Sequence, residues 1–348
     1  MRILRAVGWK GALLGVMLVL FVGGGTGAAV CKFTNVDCSL RESPSVLDFQ
    51  GEGAGTMDLP PGFSVSAAAQ GLSFPTDFDF LPDEQILIAE KNGLVRVLRE
   101  GELQEQPFLD LSANVNRWQY RGLVNVTVDP DFETNPFVYV VYTARGVAVD
   151  SPEPTSVRVS RFRVDGDEAI ASSEQVLLGS VGGRSCTALR PGSDCVPADV
   201  NHVGADIVFA SDGTMFVSTG DGGGTRDGTD EAKAVDEAAF LAQDLDSLGG
   251  KVLRVDREGR GLPDNPYWNG DPDANRSKVW AHGLRNPFRA EALPTSSPTL
   301  VVADVGLLTY EELNRVERGD DLGWPCFEGP NRTPQYRSPR VLPLVLRA

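Results

Sequence analysis

The feature that most constrains this chain is a phrase that recurs from about residue 66 onward: an alternating apolar run, a turn rich in Pro, Asp and Gly, and a second apolar run. Clear copies occupy residues 78–98, 124–143, 206–223 and 292–306. Asp, Asn and Gly accept turn dihedrals, and β-branched and aromatic residues fill pleated strands, so each phrase predicts a β-hairpin. Recurring hairpins favour an all-β fold, a β-propeller with its loops gathered over one central site; a β-sandwich is the alternative.

The composition fits such a turn-rich globular fold and excludes one class of partner. The chain has 38 Gly and 23 Pro without a collagen-like period, and 41% of its residues are hydrophobic. Acidic residues outnumber basic ones by 48 to 32, the net charge is -16, and no stripe is dense in Lys or Arg. A nucleic acid would be repelled by most of this surface. Only residues 228–248 have a helical pattern, and we interpret them as an acidic insertion between strands.

The N-terminus predicts export. Arg2, Arg5 and Lys10 precede a mostly apolar stretch from residue 11 to about 22, and small residues follow. This pattern predicts a signal peptide over residues 1–29, cleaved near Ala28 or Ala29, and a periplasmic or secreted protein. The alternative, a transmembrane anchor, needs about 20 apolar residues, and this apolar stretch is shorter.

The segment that follows the predicted signal peptide has no strong periodicity. We interpret residues 30–62 as a leader or linker that precedes the folded domain. Cys31 lies where a lipoprotein cysteine would be found, but Val30 stands where lipid processing prefers a small residue. Lipid anchoring at Cys31 is therefore disfavoured.

Five cysteines fit an oxidising compartment. Cys186 and Cys195 enclose a short loop with Pro and Gly, which predicts a local disulfide; metal binding is the weaker alternative, because no second CxxC or His pair accompanies them. Cys31 and Cys38 are candidates for a second pair, and Cys326 is then odd.

Histidine is scarce, so candidates for a base that works near neutral pH are few. The chain has two histidines, His202 and His282. His202 enters one hairpin and Asp221 leaves the same hairpin nineteen residues later, so the two ends can meet. A carboxylate beside an imidazole orients and polarises it, as in an activated general base. The alternative is a structural histidine in a loop, which is our interpretation of His282.

Two further stretches carry candidate ligand-binding groups. Arg285 and Asn286 precede Pro287 in a rigid turn, and a permanently charged guanidinium suits an anionic ligand, although a salt bridge between blades is equally plausible. Around Gly306, exposed backbone carbonyls and nearby acidic residues (Asp304, Glu311 and Glu312) are oxygen ligands of the kind that calcium takes. Acidic surface loops are usually only solvated, so this second pattern is weak alone.

Six motifs in collinear order resemble the glucose/sorbosone dehydrogenase family, soluble aldose dehydrogenases that depend on pyrroloquinoline quinone (PQQ). The motifs lie between about residues 66 and 330: RGLVNVTVDPDFETNPFVYVVYT, NHVGADIVFASDGTMFVSTGDGG, LGGKVLRVD, HGLRNPFR, ADVGLLTYEELNRV and DLGWPCFEG. The resemblance implies a six-bladed β-propeller over residues 63–348 that binds PQQ and Ca²⁺ in a central site. It also implies a sugar substrate, an aldose oxidised at the anomeric carbon to a lactone by hydride transfer to PQQ.

The resemblance assigns roles residue by residue. His202 matches the general base, Asp221 the carboxylate that supports it, and Arg285 and Asn286 the pair that contacts quinone and substrate. Gly306 and Leu307 match the two positions whose carbonyls bind the active-site calcium. The aldose and the electron acceptor are not identified.

Two departures from the family pattern favour an incomplete or non-catalytic propeller. Arg121 stands where many members have a quinone-contacting Gln, and the chain ends soon after GWPCFEG, where the family continues through one to two more blades. We therefore expect a C-terminally incomplete propeller, with the mate of Cys326 downstream in the family. The alternative functions are a non-catalytic binding module related to Hedgehog-interacting proteins and a calcium-dependent lactonase, for which no inward set of carboxylates is identified.

Overall fold

The computed structural model divides the chain into two compact units, residues 2–70 and 71–348. It describes residues 3–6, 28–29, 40–41, 65–183, 185–186, 189–190, 192–198, 201–223, 236–295 and 297–337. In the first unit, β1 (Ile3–Ala6) pairs antiparallel with β4 (Val65–Ala69), and β2 (Ala28–Ala29) pairs with β3 (Leu40–Arg41). Most of the predicted signal peptide and leader lies outside the described residues, so both remain predictions.

The second unit consists of successive antiparallel sheets, each made from consecutive strands. The first sheet contains β5 (Pro75–Phe80), β6 (Ile86–Glu90), β7 (Leu94–Arg99), β8 (Glu102–Leu103) and β9 (Leu109–Asp110). The second contains β10 (Leu123–Val128), β11 (Phe137–Thr143), β12 (Thr155–Asp165), β13 (Glu168–Ala169), β14 (Gln175–Leu178) and β15 (Val196–Ala198).

The third sheet contains β16 (Ile207–Phe209), β17 (Met215–Thr219), β18 (Lys251–Val255) and β19 (Val279–His282). The fourth contains β20 (Pro287–Ala292), β21 (Leu300–Asp304) and β22 (Glu312–Val316), and a small hairpin of β23 (Phe327–Glu328) and β24 (Asn331–Arg332) follows. The described residues thus form a propeller-like arrangement of four blades, which confirms the all-β prediction; the count of six blades remains a prediction.

Helices are few and short among the described residues. They are 3₁₀ turns at Ala171–Ser173, Glu237–Ala242 and Pro334–Arg337 and one α-helical turn, α1 (Asn275–Lys278). Of the stretch 228–248 with a helical pattern, the described part forms the turn Glu237–Ala242, which Asp236 caps by accepting a hydrogen bond from the Ala238 N–H. None of the described helices is both long and apolar enough to cross a membrane.

The repeated phrases form hairpins for the reasons expected from their turn residues. In the third sheet, Gly213 has φ 78°, a left-handed conformation that glycine adopts without strain, and Asp212 Oδ1 accepts the Thr214 N–H at 3.0 Å. The flanking strands β16 and β17 then pair with Ile207 opposite Val217. This register places the residues before β16 beside those after β17.

The hydrophobic core consists of layers between neighbouring sheets. One cluster joins the first and second sheets around Val95 and Phe162, a second joins the second and third around Tyr139 and Val217, and a third joins the third and fourth around Trp280. The first strands of successive sheets (β5, β10, β16 and β20) also lie side by side. This is the packing expected of blades arranged around a common axis.

Polar side chains fill the space between these first strands. Asn125 Nδ2 donates to Asp77 Oδ2 at 2.7 Å and to Asp206 Oδ1 at 2.8 Å, and Arg289 donates to the Thr76 carbonyl at 2.6 Å. Burial raises the pKa of both Asp77 and Asp206 above the ordinary carboxyl value. We call Asp77, Asn125, Asp206 and Arg289 the inner-strand cluster.

The predicted disulfide between Cys186 and Cys195 is confirmed. Cys326 is a free thiol. Cys31 and Cys38, the candidates for a second pair, lie outside the described residues.

Candidate active site

The third sheet brings His202 and Asp221 into contact. His202 precedes β16 and Asp221 follows β17, and the antiparallel register makes these two ends neighbours. His202 Nδ1 lies 2.6 Å from Asp221 Oδ1. Asp221 is completely buried, and His202 keeps 8% of its surface exposed. The pair is therefore a buried carboxylate that holds an imidazole at the edge of the protein interior.

Three donors bind the Asp221 carboxylate. Oδ1 accepts His202 Nδ1 and the Gly223 N–H at 2.8 Å, and Oδ2 accepts Trp324 Nε1 at 2.8 Å. Burial alone would raise the pKa of Asp221, but the charges of His202 and Arg285 and the hydrogen bonds outweigh it, so this pKa lies below its ordinary value. Asp221 is thus ionised at neutral pH.

The backbone around the pair is tightly constrained. His202 has φ 48°, in the left-handed region that non-glycine residues rarely adopt and that costs about 1–3 kcal/mol. A Cβ atom at Gly220 would overlap the His202 carbonyl oxygen, so only glycine allows this approach. Strain of this kind at a buried titratable residue is typical of functional sites.

Arg285 joins the pair from the turn between β19 and β20. Its carbonyl accepts the Asp221 N–H at 2.9 Å, and its guanidinium lies 5.5 Å from the centre of the Trp324 ring. Nη1 donates to the carbonyls of Val305 at 3.1 Å and Gly306 at 2.8 Å. The same guanidinium therefore lies between the Asp221 side of the site and the loop that follows β21.

Asp304, at the end of β21, fixes the turn that carries Arg285 and Asn286. Its carboxylate accepts the Arg285 N–H at 2.9 Å and the Asn286 N–H at 2.6 Å. Burial raises the pKa of Asp304 to about 7, although these two N–H groups lower it. Asn286 Oδ1 in turn accepts the Gly204 N–H at 3.0 Å, which fixes the amide beside the His202 loop.

A second carboxylate organises the loop that contains Gly306 and Leu307. Glu328 Oε1 accepts four consecutive backbone N–H groups, those of Leu307 at 2.6 Å, Leu308 at 2.8 Å, Thr309 at 3.0 Å and Tyr310 at 3.3 Å. Burial would raise the pKa of Glu328, but these four donors lower it below its ordinary value. The loop therefore surrounds an ionised carboxylate with its N–H groups.

This contact sets the direction of the loop carbonyls. In a trans peptide the C=O of one residue points opposite to the N–H of the next. The carbonyls of Gly306 and Leu307 therefore point away from Glu328, and the Gly306 carbonyl meets Arg285. Of the two oxygens predicted to bind calcium, that of Gly306 therefore faces Arg285.

A model of the glucose/sorbosone dehydrogenase family matches residues 72–338. The chain belongs to this family. The match includes all four blade-like sheets and every residue of the site described above. The motif resemblance found in the sequence is thereby confirmed.

Several relatives within and beyond the bacteria are similar to this family member. A crystal structure of an oxidoreductase described as a glucose dehydrogenase, from Thermus thermophilus, is 30% identical with a TM-score of 0.57, covering 78% of this chain and 70% of that one. Aldose sugar dehydrogenase YliI of Escherichia coli (strain K12) is 26% identical, over 76% of this chain and 62% of that protein. The Hedgehog-interacting protein of Homo sapiens is 26% identical, over 65% of this chain and 31% of that protein. The chain thus spans less than two thirds of both curated relatives.

Most of the residues predicted for the site lie together, and Arg121 makes a separate set of contacts. His202, Asp221, Arg285, Asn286 and the loop at Gly306 and Leu307 form the continuous network described above. Arg121 is completely buried, with Nη1 donating to the carbonyls of Ser151 and Glu153 at 2.9 Å each and its guanidinium 5.2 Å from the Trp118 ring. A role of Arg121 towards the cofactor stays a prediction.

The acidic side chains near Gly306 make bonds within the chain. Glu311 accepts the Gly306 N–H at 3.1 Å, and Glu312 accepts Asn314 Nδ2 at 3.0 Å, while Asp304 binds the turn described above. Across the part of the chain that the structure describes, no three His, Cys, Asp or Glu side chains are arranged to hold a metal ion. The calcium prediction therefore concerns the backbone carbonyls.

Sequence reasoning missed three members of the site: Trp324, Glu328 and the structural role of Asp304. Trp324 and Glu328 are in the DLGWPCFEG phrase, which served only as a mark of resemblance. The available signal was a tryptophan and an acidic residue within one short motif that follows β22. Nothing in their spacing indicates that they meet Asp221 and residues 307–310.

Proposed function

We propose that this chain is an exported PQQ-dependent dehydrogenase. It would oxidise the anomeric carbon of aldose sugars to lactones. The observation that carries the proposal is the buried contact between His202 and the ionised Asp221, because it is the arrangement that a general base requires. Family membership and the relatives named as aldose or glucose dehydrogenases support an oxidoreductase.

The residues of the site fit both groups that the family implies. PQQ carries carboxylates and quinone oxygens, and Arg285 and the half-buried Asn286 amide offer a permanent charge and a fixed donor for such acceptors. Calcium prefers oxygen ligands, and the Gly306 and Leu307 carbonyls point to one side of their loop. The Gly306 oxygen also accepts Arg285 Nη1, but a carbonyl has two lone pairs.

The histidine is set up to accept a proton at one atom. A carboxylate can only accept, so His202 Nδ1 must be the donor to Asp221, and the neutral ring then has its lone pair on Nε2. Nε2 would take the proton of the anomeric hydroxyl, and the Asp221 charge would stabilise the imidazolium that forms. PQQ, when bound, supplies the acceptor of the hydride from the anomeric carbon.

Arg285 and calcium would stabilise the negative charge that develops as the base takes up a proton. The Arg285 guanidinium places a permanent positive charge beside the loop of Gly306, which favours negative charge that develops there during reaction. A calcium ion on the carbonyls of Gly306 and Leu307 would add to this effect. The chain thus offers a base on the His202 side and positive charge on the Gly306 side.

The test is reconstitution of the purified chain with PQQ and Ca²⁺, followed by assay of a panel of aldoses with a dye as electron acceptor. We expect turnover that requires added quinone, and a loss of about 10²–10⁴-fold in His202→Ala, the usual contribution of a general base. His282→Ala is the matched control, since His282 is the other histidine of the chain. No quinone-dependent turnover with any aldose, or equal losses in both variants, would contradict the proposal.

A second candidate is a non-catalytic binding module of the kind suggested by the likeness to the Hedgehog-interacting protein. It is favoured by Arg121, which stands at a predicted cofactor position but binds backbone carbonyls within its own sheet region. Optical titration with PQQ distinguishes the two functions. A dehydrogenase should change the absorption spectrum of the quinone at stoichiometric ratios, whereas a module that lacks the cofactor site should leave it unchanged.

Export is also part of the proposal. It is supported by the Cys186–Cys195 disulfide, because such bonds persist in oxidising compartments. The predicted signal peptide gives the route. Expression with and without residues 1–29, followed by cell fractionation, tests it: export that does not depend on this segment would contradict the prediction.

A further inference from the structure

One side chain touches both groups on which the proposed chemistry depends. Trp324 Nε1 donates to Asp221 Oδ2 at 2.8 Å, and its ring lies 5.5 Å from the Arg285 guanidinium. Trp324 itself is buried, with 5% of its surface exposed. It follows β22 in the chain, so it reaches Asp221 from more than a hundred residues away in sequence.

The hydrogen bond from Trp324 reaches the Asp221 oxygen that does not bind His202. Oδ1 is directed to His202 and Gly223, so Oδ2 faces the opposite way and needs its own donor in the protein interior. A carboxylate held at both oxygens cannot rotate about its Cβ–Cγ bond without losing hydrogen bonds. The indole N–H therefore fixes the plane of the carboxylate in which Oδ1 faces His202 Nδ1.

Trp324 is well placed to impose this orientation because its own position is fixed. Its backbone N–H donates to the Gly283 carbonyl at 3.0 Å, and its backbone carbonyl accepts Gln243 Nε2 at 2.8 Å. The ring of Tyr336 packs edge-on at 5.6 Å. Gly283 is two residues before Arg285, so the same segment that supports Asp221 is also tied to the turn that carries the arginine.

We propose that Trp324 is a positioning residue for the candidate base: its indole N–H orients Asp221 towards His202, and its ring supports Arg285. The proposal rests on the proposed function for its catalytic consequence. The orientation of the Asp221–His202 pair is a property of the protein alone, and it can be measured without substrate.

Two replacements at one position test the role of the N–H. Trp324→Phe removes the donor and part of the ring, and incorporation of 3-benzothienylalanine at position 324 replaces only the N–H by sulfur while keeping the ring size. Trp280→Phe is the matched control. Trp280 is also buried, with Phe216 at 5.5 Å and the Arg254 guanidinium at 5.2 Å, but its Nε1 has no hydrogen-bond partner among the described residues.

The first readout is the Nδ1 proton of His202 in the NMR spectrum of the protein without substrate. With two histidines in the chain, His202→Ala assigns the signal. We expect both replacements at position 324 to move this signal upfield and to speed its exchange with water, and Trp280→Phe to leave it unchanged. A signal unchanged in the benzothienylalanine protein would overturn the proposal, even if Trp324→Phe fails to fold.

The second readout separates this inference from the proposed function. In the reconstituted enzyme we expect kcat to fall by about tenfold in both Trp324 proteins with KM little changed, because a charge-assisted hydrogen bond that orients the base acts mainly in the transition state. An unchanged kcat would overturn the catalytic part. If the wild-type chain shows no quinone-dependent turnover, the proposed function fails, while the NMR comparison still decides whether Trp324 orients Asp221.

Discussion

Two aspartates of the same hairpin are both buried and both accept three hydrogen bonds, yet their pKa values shift in opposite directions. Asp206, just before β16, accepts Asn125 Nδ2, the Ile207 N–H and the Ala290 N–H, and burial raises its pKa. Asp221, just after β17, has its pKa lowered despite complete burial. The number of donors therefore does not decide in which direction the pKa of a buried carboxyl group shifts.

The charge of the neighbouring groups decides the direction of the pKa shift. Asp221 faces His202 and Arg285, and Trp324 donates to its second oxygen. Asp206 shares Asn125 with a second acid, Asp77, so the attraction of Arg289 is divided between two carboxylates. The surroundings of Asp221 thus favour its ionised form, whereas the inner-strand cluster disfavours ionisation of Asp206 and Asp77.

The largest effect expected from this comparison is on activity. In Asp221→Asn, the amide cannot accept both His202 Nδ1 and Trp324 Nε1, so either the tautomer of His202 reverses or a buried donor is lost. We expect kcat of the reconstituted enzyme to fall by about 10²–10⁴-fold, the range of a lost general base. Asp206→Asn is the control, because the Asp206 carboxylate binds Asn125, Ile207 and Ala290 and not His202. Similar losses of kcat in the two variants would contradict the contrast between the two aspartates.

A smaller effect is expected on the affinity for calcium at the loop of Gly306 and Leu307. Glu328→Gln removes the charge that gathers the N–H groups of residues 307–310, so the carbonyls of Gly306 and Leu307 lose their fixed direction. Groups that orient metal ligands typically contribute about 10–100-fold to affinity. We expect at least about tenfold weaker Ca²⁺ binding by titration calorimetry of the full chain.

The matched control for this carboxylate lies in the second sheet. Glu174 also accepts hydrogen bonds in a partly buried position, from Tyr142 at 2.6 Å and Ser160 at 2.8 Å. Glu174→Gln should leave Ca²⁺ affinity unchanged. Equal weakening in both variants would indicate a general loss of folding, and unchanged affinity in Glu328→Gln would remove Glu328 from the calcium site.

The parts of the fold that followed from sequence are the local ones. Hairpins are local, so the turn at Asp212 and Gly213 and its flanking apolar strands predicted β16 and β17 directly. The Cys186–Cys195 disulfide was equally local. The number of blades is not local, because it depends on how many sheets close the ring, and the chain's own phrases do not fix that number.

The candidate site followed from sequence only where its partners share a hairpin. His202 and Asp221 are nineteen residues apart in such a hairpin, and the structure places them in contact. Trp324 and Glu328 meet their partners through the packing of different sheets, and no periodicity encodes those contacts. The charge of Asp221 depends on these distant residues, so sequence predicted the pair but not the state in which it is held.

The dependence of stability on pH also distinguishes the surroundings of the two aspartates. A carboxyl whose folded pKa is raised contributes stability that is present below its ordinary value of 3.8 and is lost as pH rises through the folded pKa. For Asp77 that window extends from 3.8 to about 7. Over it, one group lowers the free energy of unfolding by at most about 1.4 kcal/mol per pH unit. Asp77→Asn should flatten this decline in urea denaturation.

For Asp221 we expect a contribution to stability with the opposite dependence on pH, and the two variants are therefore compared. Its folded pKa is depressed, so its contribution is present above 3.8 and is lost as pH falls through the lower folded value. The difference between wild type and Asp221→Asn should therefore be constant near neutral pH and shrink only in acid. If Asp77→Asn instead has the same slope as wild type between about pH 5 and 7, Asp77 is ionised throughout. The inner-strand cluster would then favour ionised carboxyl groups as the surroundings of Asp221 do, and the contrast between this cluster and Asp221 would fail.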